Sequence, residues 1–443
     1  MRLEQLDGKQ IAVLGAGREG RCALAVLNER LKQADLSVLV EHGERPGQWP
    51  GWVGPFDQRL QQFDVLLRSP GVRVDHPALV AARQAGVRIV NPASLWFSER
   101  SDVTVIGVTG SKGKSTTASL LAHLLQASSR RVLLAGNIGD PLLGHLDTKA
   151  DVVVLELSSY QLADLEATLS MGLITRLFDE HLDWHGSREA YFACKLRLVE
   201  LLAGRPLLIN AADPVLLAWT RSVDGLVQVN RWPEFHRRED SLWLADDVCL
   251  DLAELQLSGR HNLDNAALAM AAAARCGVEI ADSLTALRSF RPLVHRLEAL
   301  GRVGGLFWIN DSISTSPHAT RAALEMLNGQ PVTLIAGGQA RPADWQPVLE
   351  WCRAQPLAAL IALPDNGWEV ANALVREACV AGQSTRLVDS IAEAVAAAAD
   401  LSPPGSSVLL SPGAPSFPRF RDFEARGDAF RQALADYSER STA

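Results

Sequence analysis

The sequence predicts an α/β protein of three domains, each built on a mostly parallel sheet with helices packed against it. Three observations predict this. At 443 residues the chain exceeds what one hydrophobic core organises, taking about 100 to 200 residues per domain. Short apolar runs alternate with helix-like segments along its whole length. Two of those runs feed directly into glycine-rich turns, Gly15-Ala16-Gly17-Arg18-Glu19-Gly20 and Gly110-Ser111-Lys112-Gly113-Lys114-Ser115-Thr116.

In chain order, Gln10 to Leu14 is a short apolar strand that runs into the first glycine turn, and Cys22 to Leu27 behind it has helical character. Leu36 to Val40, Asp64 to Leu67 (leading into Ser69-Pro70-Gly71) and Val87 to Val90 continue the strands of a Rossmann-like N-terminal domain, residues 1–98. A second series opens at Val103 to Val108 and continues at Arg131 to Leu134, Val152 to Leu155 and Leu173 to Thr175. These predict a central parallel sheet of the phosphate-loop type, residues 99–289, with Asn265 to Ala274 as a buried helix. Strands at Leu306 to Ile309, Val332 to Ile335, Leu357 to Ala362 and Ser407 to Leu410 predict a Rossmann-like C-terminal domain, residues 290–443. The alanines of Ala394 to Ala399 read as helix within it.

Composition narrows the class. A hydrophobic fraction of 47% with 21% charged residues is that of a globular protein. The net charge of -8 argues against a nucleic-acid partner. No basic segment followed by an apolar one opens the chain, and no apolar run reaches the ~18 residues of a membrane helix, so a cytoplasmic protein without a membrane partner is expected. Six scattered cysteines with no Cys-x-x-Cys pair read as buried reduced thiols.

The second glycine turn lies between a strand and a helix, where backbone N–H groups favour phosphate. Lys114 would neutralise β and γ oxygens and Ser115 would ligate magnesium. The spacing departs from the standard loop, whose first glycine would fall on Val108. Glu156 follows the run Val152 to Leu155, at the carboxyl end of a strand where ligands of open sheets collect, and offers magnesium a hard oxygen; the plain alternative is a solvated glutamate. In Asp179-Glu180-His181-Leu182-Asp183 a histidine among carboxylates fits a metal ligand, a base or a hydrogen-bonded loop, and the loop reading is slightly favoured. Lys195 sits in a mostly apolar helical stretch, where a lysine ordinarily reaches out to solvent.

Taken together these segments resemble the Mur ligases, and within them the branch that adds glutamate to UDP-N-acetylmuramoyl-L-alanine. The carriers are Ser69-Pro70-Gly71, Gly110 to Thr116, Gly136-Asn137-Ile138-Gly139, Glu156 to Gln161, His181, Lys195, Gly259-Arg260-His261-Asn262, His295-Arg296, Asn310-Asp311-Ser312 and Phe423-Glu424-Ala425-Arg426-Gly427. Their order covers essentially the whole chain. The resemblance implies an ATP-dependent ligase that joins an acid to an amino acid through an acyl phosphate. It implies two magnesium ions held by Ser115, Glu156, His181 and a carbamylated Lys195, which displaces the solvent reading of that lysine. It places Asn265, Arg296 and Asp311 at the nucleotide, with Arg296 near the γ-phosphate, and Gly15, Ala16, Gly17, Arg18, Ser69, Asn137 and Ser158 at the UDP-sugar. Thr315, Arg341, Ser416 and Phe423 fall where glutamate binds. His181 is the candidate base, and a monomer working on small-molecule substrates is expected.

Several residues depart from that branch. Ile313 stands where a lysine is common after the Asn-Asp-Ser motif, and Arg341 stands where a lysine commonly meets the glutamate side chain. Ser411-Pro412-Gly413-Ala414-Pro415-Ser416 also differs around its middle. The departures gather at the amino-acid pocket, which points to a type that adds L-glutamate, with D-glutamate as the alternative. A folylpolyglutamate synthetase-like ligase and a non-catalytic nucleotide-binding protein are the more distant readings.

Overall fold

The computed structural model describes residues 1–443 apart from 42–44, 258, 292–293, 328, 341–343 and 443. Two compact units divide the chain, Met1–Arg291 and Pro292–Ala443.

The first unit holds two parallel sheets. In the N-terminal one, β1 (Gln10–Leu14), β2 (Asp35–Val40), β3 (Gly51–Val53), β4 (Val65–Arg68) and β5 (Arg88–Val90) lie in the order β3-β2-β1-β4-β5. Strand order reverses between β1 and β4, so the glycine turn after β1 opens into the crevice where such sheets bind ligands. The central sheet has six strands, β6 (Thr104–Thr109), β7 (Val132–Gly136), β8 (Val152–Glu156), β9 (Met171–Ile174), β10 (Leu207–Asn210) and β11 (Leu226–Val229), in the order β11-β10-β9-β6-β8-β7. Its inner strands are buried on both faces, which is why they read as continuous apolar runs. One hydrophobic cluster joins the two sheets, running from Ile11 and Val13 through Trp96 to Val153 and Phe192. A small antiparallel sheet, β12 (Phe235–Arg238), β13 (Ser241–Leu244) and β14 (Asp247–Asp251), packs on the helix His261–Arg275.

The second unit is a single six-stranded sheet in the order β15-β16-β20-β17-β18-β19, from β15 (Glu298–Val303), β16 (Leu306–Asn310), β17 (Val332–Ala336), β18 (Ala359–Ala362), β19 (Thr385–Leu387) and β20 (Ser407–Leu410). All pairs are parallel except the hairpin β15–β16.

The six cysteines are free, as expected, but only Cys352 and Cys379 are buried; Cys22, Cys194, Cys249 and Cys276 are half-buried. No helix among the described residues is long and apolar enough to cross a membrane.

Candidate active site

The phosphate loop begins one residue past β6 and ends on the helix Lys114–Ala127. Gly110 and Gly113 adopt φ of 142° and 89°, backbone that side chains resist. A Cβ on Gly110 would lie 2.0 Å from Thr175 Oγ1, and one on Gly113 would lie 2.6 Å from Asn265 Oδ1. Side chains beneath hold the loop: Ser111 Oγ donates to Phe178 O at 2.9 Å, Thr175 Oγ1 to Lys112 O at 2.5 Å and Lys114 Nζ to Ser111 O at 2.8 Å. Ser115 is buried on the first helical turn behind the loop, and Thr116 follows it. Asn265 reaches the loop from the helix His261–Arg275, its Oδ1 accepting from Thr117 Oγ1 at 3.3 Å.

Lys195 does not reach solvent. It is buried on the helix Arg188–Leu202, and its Nζ donates to Gly110 O at 2.7 Å. Burial, with the Lys114 charge behind it, holds this amine well below lysine's ordinary range. Glu156, the last residue of β8, is 1% exposed, so the solvated-glutamate alternative is wrong. Asn137 Nδ2 donates to Glu156 Oε1 at 2.8 Å, while Glu156 Oε2 is buried with no hydrogen-bond partner among the described residues. A buried carboxylate oxygen left without a donor calls for a cation, so magnesium, the ion the resemblance implies, fits this donor set. Among the described residues no three His, Cys, Asp or Glu side chains form a cage, and magnesium needs only one or two carboxylates beside phosphate oxygens.

His181 adopts left-handed backbone (φ 55°) at the head of the turn Leu182–His185, its ring 5.1 Å from that of Tyr160. Beside it, burial pushes Glu180 up, but the charge and hydrogen bond of Lys112, with Lys114 and His181 behind them, bring it below its ordinary value. Lys112 Nζ lies 2.8 Å from Glu180 Oε1.

The first glycine turn meets the central sheet's loops. Gly15 has φ 90°, and a Cβ on Gly20 would lie 2.0 Å from Gly15 O, so the helix Arg18–Arg30 starts flush against the turn, with Ala16 and Gly17 before it. Ser69 Oγ donates to Gly15 O at 3.1 Å, and Arg18 Nη1 to Gly139 O at 2.8 Å. Ser158 caps the helix Ser159–Leu162 beside Gln161, whose Nε2 donates to Glu19 Oε1 at 2.5 Å. Hydrogen bonds thus link the neighbouring loops of the first unit that carry Gly15, Arg18, Ser69, Asn137 and Ser158.

In the second unit Arg296 Nε is buried with no hydrogen-bond partner among the described residues, which suits a group that binds an anion. Asp311 is buried and accepts from Ser314 Oγ at 2.5 Å, Ser411 Oγ at 2.9 Å and Leu297 N at 3.2 Å; burial nonetheless raises its carboxyl to about 6. Ser416 lines a cavity of about 210 Å³ past the carboxyl ends of β17, β18 and β20. Phe423 O accepts from Ser312 Oγ at 2.8 Å, and Thr315 is exposed. Arg341 lies outside the described residues.

Comparison with known proteins decides the family. Residues 108–273 match the Mur ligase middle domain, and 295–413 match the Mur ligase glutamate ligase domain. The chain belongs to the Mur ligase family. A protein of Micromonospora named UDP-N-acetylmuramoyl-L-alanine--L-glutamate ligase is 39% identical over 98% of both chains. One of the same name from Xanthomonas euvesicatoria pv. vesicatoria is 38% identical over 98% of this chain and 96% of its own. Among solved structures, a MurF of Acinetobacter baumannii gives a TM-score of 0.60 at 17% identity, covering 99% of this chain and 93% of its own. MurC of Thermotoga maritima gives 0.56 at 18%, covering 97% and 100%. These neighbours share the three-domain α/β fold.

Two groups of this Mur ligase escaped the reading of its sequence. Arg68, at the end of β4, is fully buried and binds Asp164 through Nε at 2.5 Å and Nη2 at 2.6 Å. Arg176 and Arg237 both bind the buried Asp264. In neither case does local spacing reveal the pair, because the partners lie 96, 88 and 27 residues apart.

Proposed function

We propose that this Mur ligase adds L-glutamate to UDP-N-acetylmuramoyl-L-alanine at the expense of ATP in peptidoglycan precursor synthesis. The observation that carries the choice of substrate is similarity, over nearly the full length of both chains, to ligases whose names state that reaction. The first unit supplies the machinery: a phosphate loop, a buried carboxylate with an unmet oxygen and a buried lysine on the loop's own carbonyl.

The UDP end sits at Gly15 to Arg18 and Ser69, with Asn137 and Ser158 towards the muramoyl end. ATP occupies Gly110 to Thr116 with Asn265, Arg296 and Asp311. The γ-phosphoryl passes to the substrate carboxylate, leaving ADP and an acyl phosphate. Lys114 and Arg296 stabilise the charge of the transferring group, since such chemistry is chiefly positioning and electrostatics. Two magnesium ions, held by Ser115, Glu156, His181 and a carbamylated Lys195, would neutralise phosphate oxygens. The amino group of glutamate, held by Thr315, Arg341, Ser416 and Phe423, attacks the acyl carbon and loses a proton, for which His181 is the candidate acceptor. The tetrahedral intermediate then expels phosphate and leaves an amide.

Incubation with ATP, UDP-N-acetylmuramoyl-L-alanine and each glutamate enantiomer tests the reading. Phosphate release and product are expected with L-glutamate. Turnover with D-glutamate alone overturns the enantiomer, and turnover with neither overturns the function.

A further inference from the structure

Asp264 carries a charge that the mechanism above does not use. It lies on the helix His261–Arg275 with its side chain 2% exposed, and two arginines from different elements reach it. Arg176 Nη2 donates to its Oδ2 at 2.6 Å and Arg237 Nε to its Oδ1 at 3.0 Å. Asp240, the other carboxylate near Arg237, is already paired with Arg260, so these three guanidiniums share two carboxylates and leave positive charge in excess. Asp264 takes one of the five N–H donors of Arg176, and 41% of that side chain stays exposed.

The position of Arg176 says where this excess lies. It follows β9, next to the strand that carries the phosphate loop. Its carbonyl accepts from Ser111 N at 2.6 Å, and a Cβ on Gly110 would lie 3.0 Å from its backbone nitrogen. One end of the residue is therefore fixed to the loop. The other is fixed to Asp264, whose neighbour Asn265 touches Gly113 and Thr117. The guanidinium is thus tethered between two structures that border the phosphate site. His261, at the start of the same helix, is lowered below its ordinary value by burial and then by Arg176, which places the charge at this rim. Planar donors in fixed orientation suit phosphate oxygens better than a lysine's point charge.

We infer that Arg176 is a nucleotide-binding residue of this ligase, oriented by Asp264 so that its remaining N–H donors bind a phosphate oxygen of ATP. The inference rests on the reading of Gly110 to Thr116 as the ATP site. A residue serving only to tie β9 to the helix would need no excess charge and no exposed guanidinium at the loop.

Calorimetric titration of the full chain with ADP and with adenosine tests it, in the presence of magnesium, on the parent, Arg176→Gln and Arg176→Lys. Arg176→Gln is expected to weaken ADP at least tenfold and adenosine less than twofold, because only ADP offers phosphate oxygens. A loss for ADP more than fivefold greater than that for adenosine supports the inference, and any smaller ratio overturns it. Should Arg176→Gln fail to melt cooperatively, Arg176→Lys, which retains a cation for Asp264, is judged by the same ratio. A parent that binds no ADP would overturn the ATP-site reading itself, and this inference with it.

Discussion

Lys195 is the residue whose chemistry depends most on its surroundings. An amine enclosed beside Gly110 O and held well below lysine's ordinary range keeps a larger neutral fraction, and the neutral amine is the form that adds to carbon dioxide. Carbamylation would turn a cation beside Lys114 into an anion. Lys195→Ala is therefore expected to lose at least ~100-fold in ligation rate, a large fraction of the electrostatic effects seen at such sites. Carbon NMR of the parent in labelled bicarbonate should show a carbamate signal that Lys195→Ala lacks; a signal in both would sink the assignment. In the second unit, Asp311 makes a prediction about pH. Its carboxyl titrates near 6 in the folded chain against 3.8 unfolded, so its contribution to stability is full below 3.8 and is lost as pH rises through 6. That is about 3 kcal/mol in all at 1.36 per unit, of which roughly half falls between pH 5 and 7.5. Asp311→Asn removes the dependence, so denaturant melts should show its stability relative to the parent improving over that interval. These two residues also mark what was legible. The run around Lys195 is apolar, and read alone it suggested a solvent-seeking lysine, because the partner that buries it lies 85 residues earlier. The place of Glu156 at a strand end is legible from the apolar run before it, but its unmet oxygen exists only in three dimensions.

At the scale of elements, both glycine turns convert a strand end into a binding edge, and they should fail separately. Gly20→Ala puts a methyl against Gly15 O, a backbone atom that cannot swing away, so the first turn must open. Gly113→Ala puts one against Asn265 Oδ1 at φ 89°, in the second turn. Steady-state kinetics should show at least a tenfold rise in KM for the UDP-sugar in Gly20→Ala with KM for ATP unchanged, and the reverse in Gly113→Ala. Equal rises in both would mean the turns do not define separate sites. The same logic explains which elements could be read. Strands such as β1, β6, β8 and β20 are buried at nearly every position, and their apolar runs locate them in the sequence to within a residue or two. The edge strands β3 and β19 are three residues long and partly exposed, and the strands β12, β13 and β14 each bury only one or two residues. Such strands carry too few apolar residues to stand out from the loops.

At the scale of the molecule, the first unit behaves as one body although it contains two sheets, and Arg68 accounts for part of that unity. Its guanidinium accepts nothing and donates widely: to Asp164 and Tyr160 O on the central side, and to Ser69 O, Pro70 O and Val72 O on its own. The carbonyls of the loop Ser69 to Val72, which borders the proposed UDP site, are thereby turned towards one buried cation, which fixes the loop to the segment that follows Glu156. Asn91 Nδ2 adds a second tie to Asp164 at 2.8 Å. Removing the cation leaves a carboxylate and four carbonyls short of donors inside the protein. Arg68→Met should therefore destabilise the first unit by about 3 to 5 kcal/mol, the range for breaking one partner of a buried pair. If the tie also holds the crevice in shape, affinity for the UDP-sugar should fall at least tenfold while affinity for ADP with magnesium stays within twofold, since the phosphate loop is built from β6, β9 and the two helices behind them. Calorimetric titration with each ligand separates the two effects: a variant that loses stability but binds the UDP-sugar as the parent does would leave Arg68 a structural tie with no part in shaping the site.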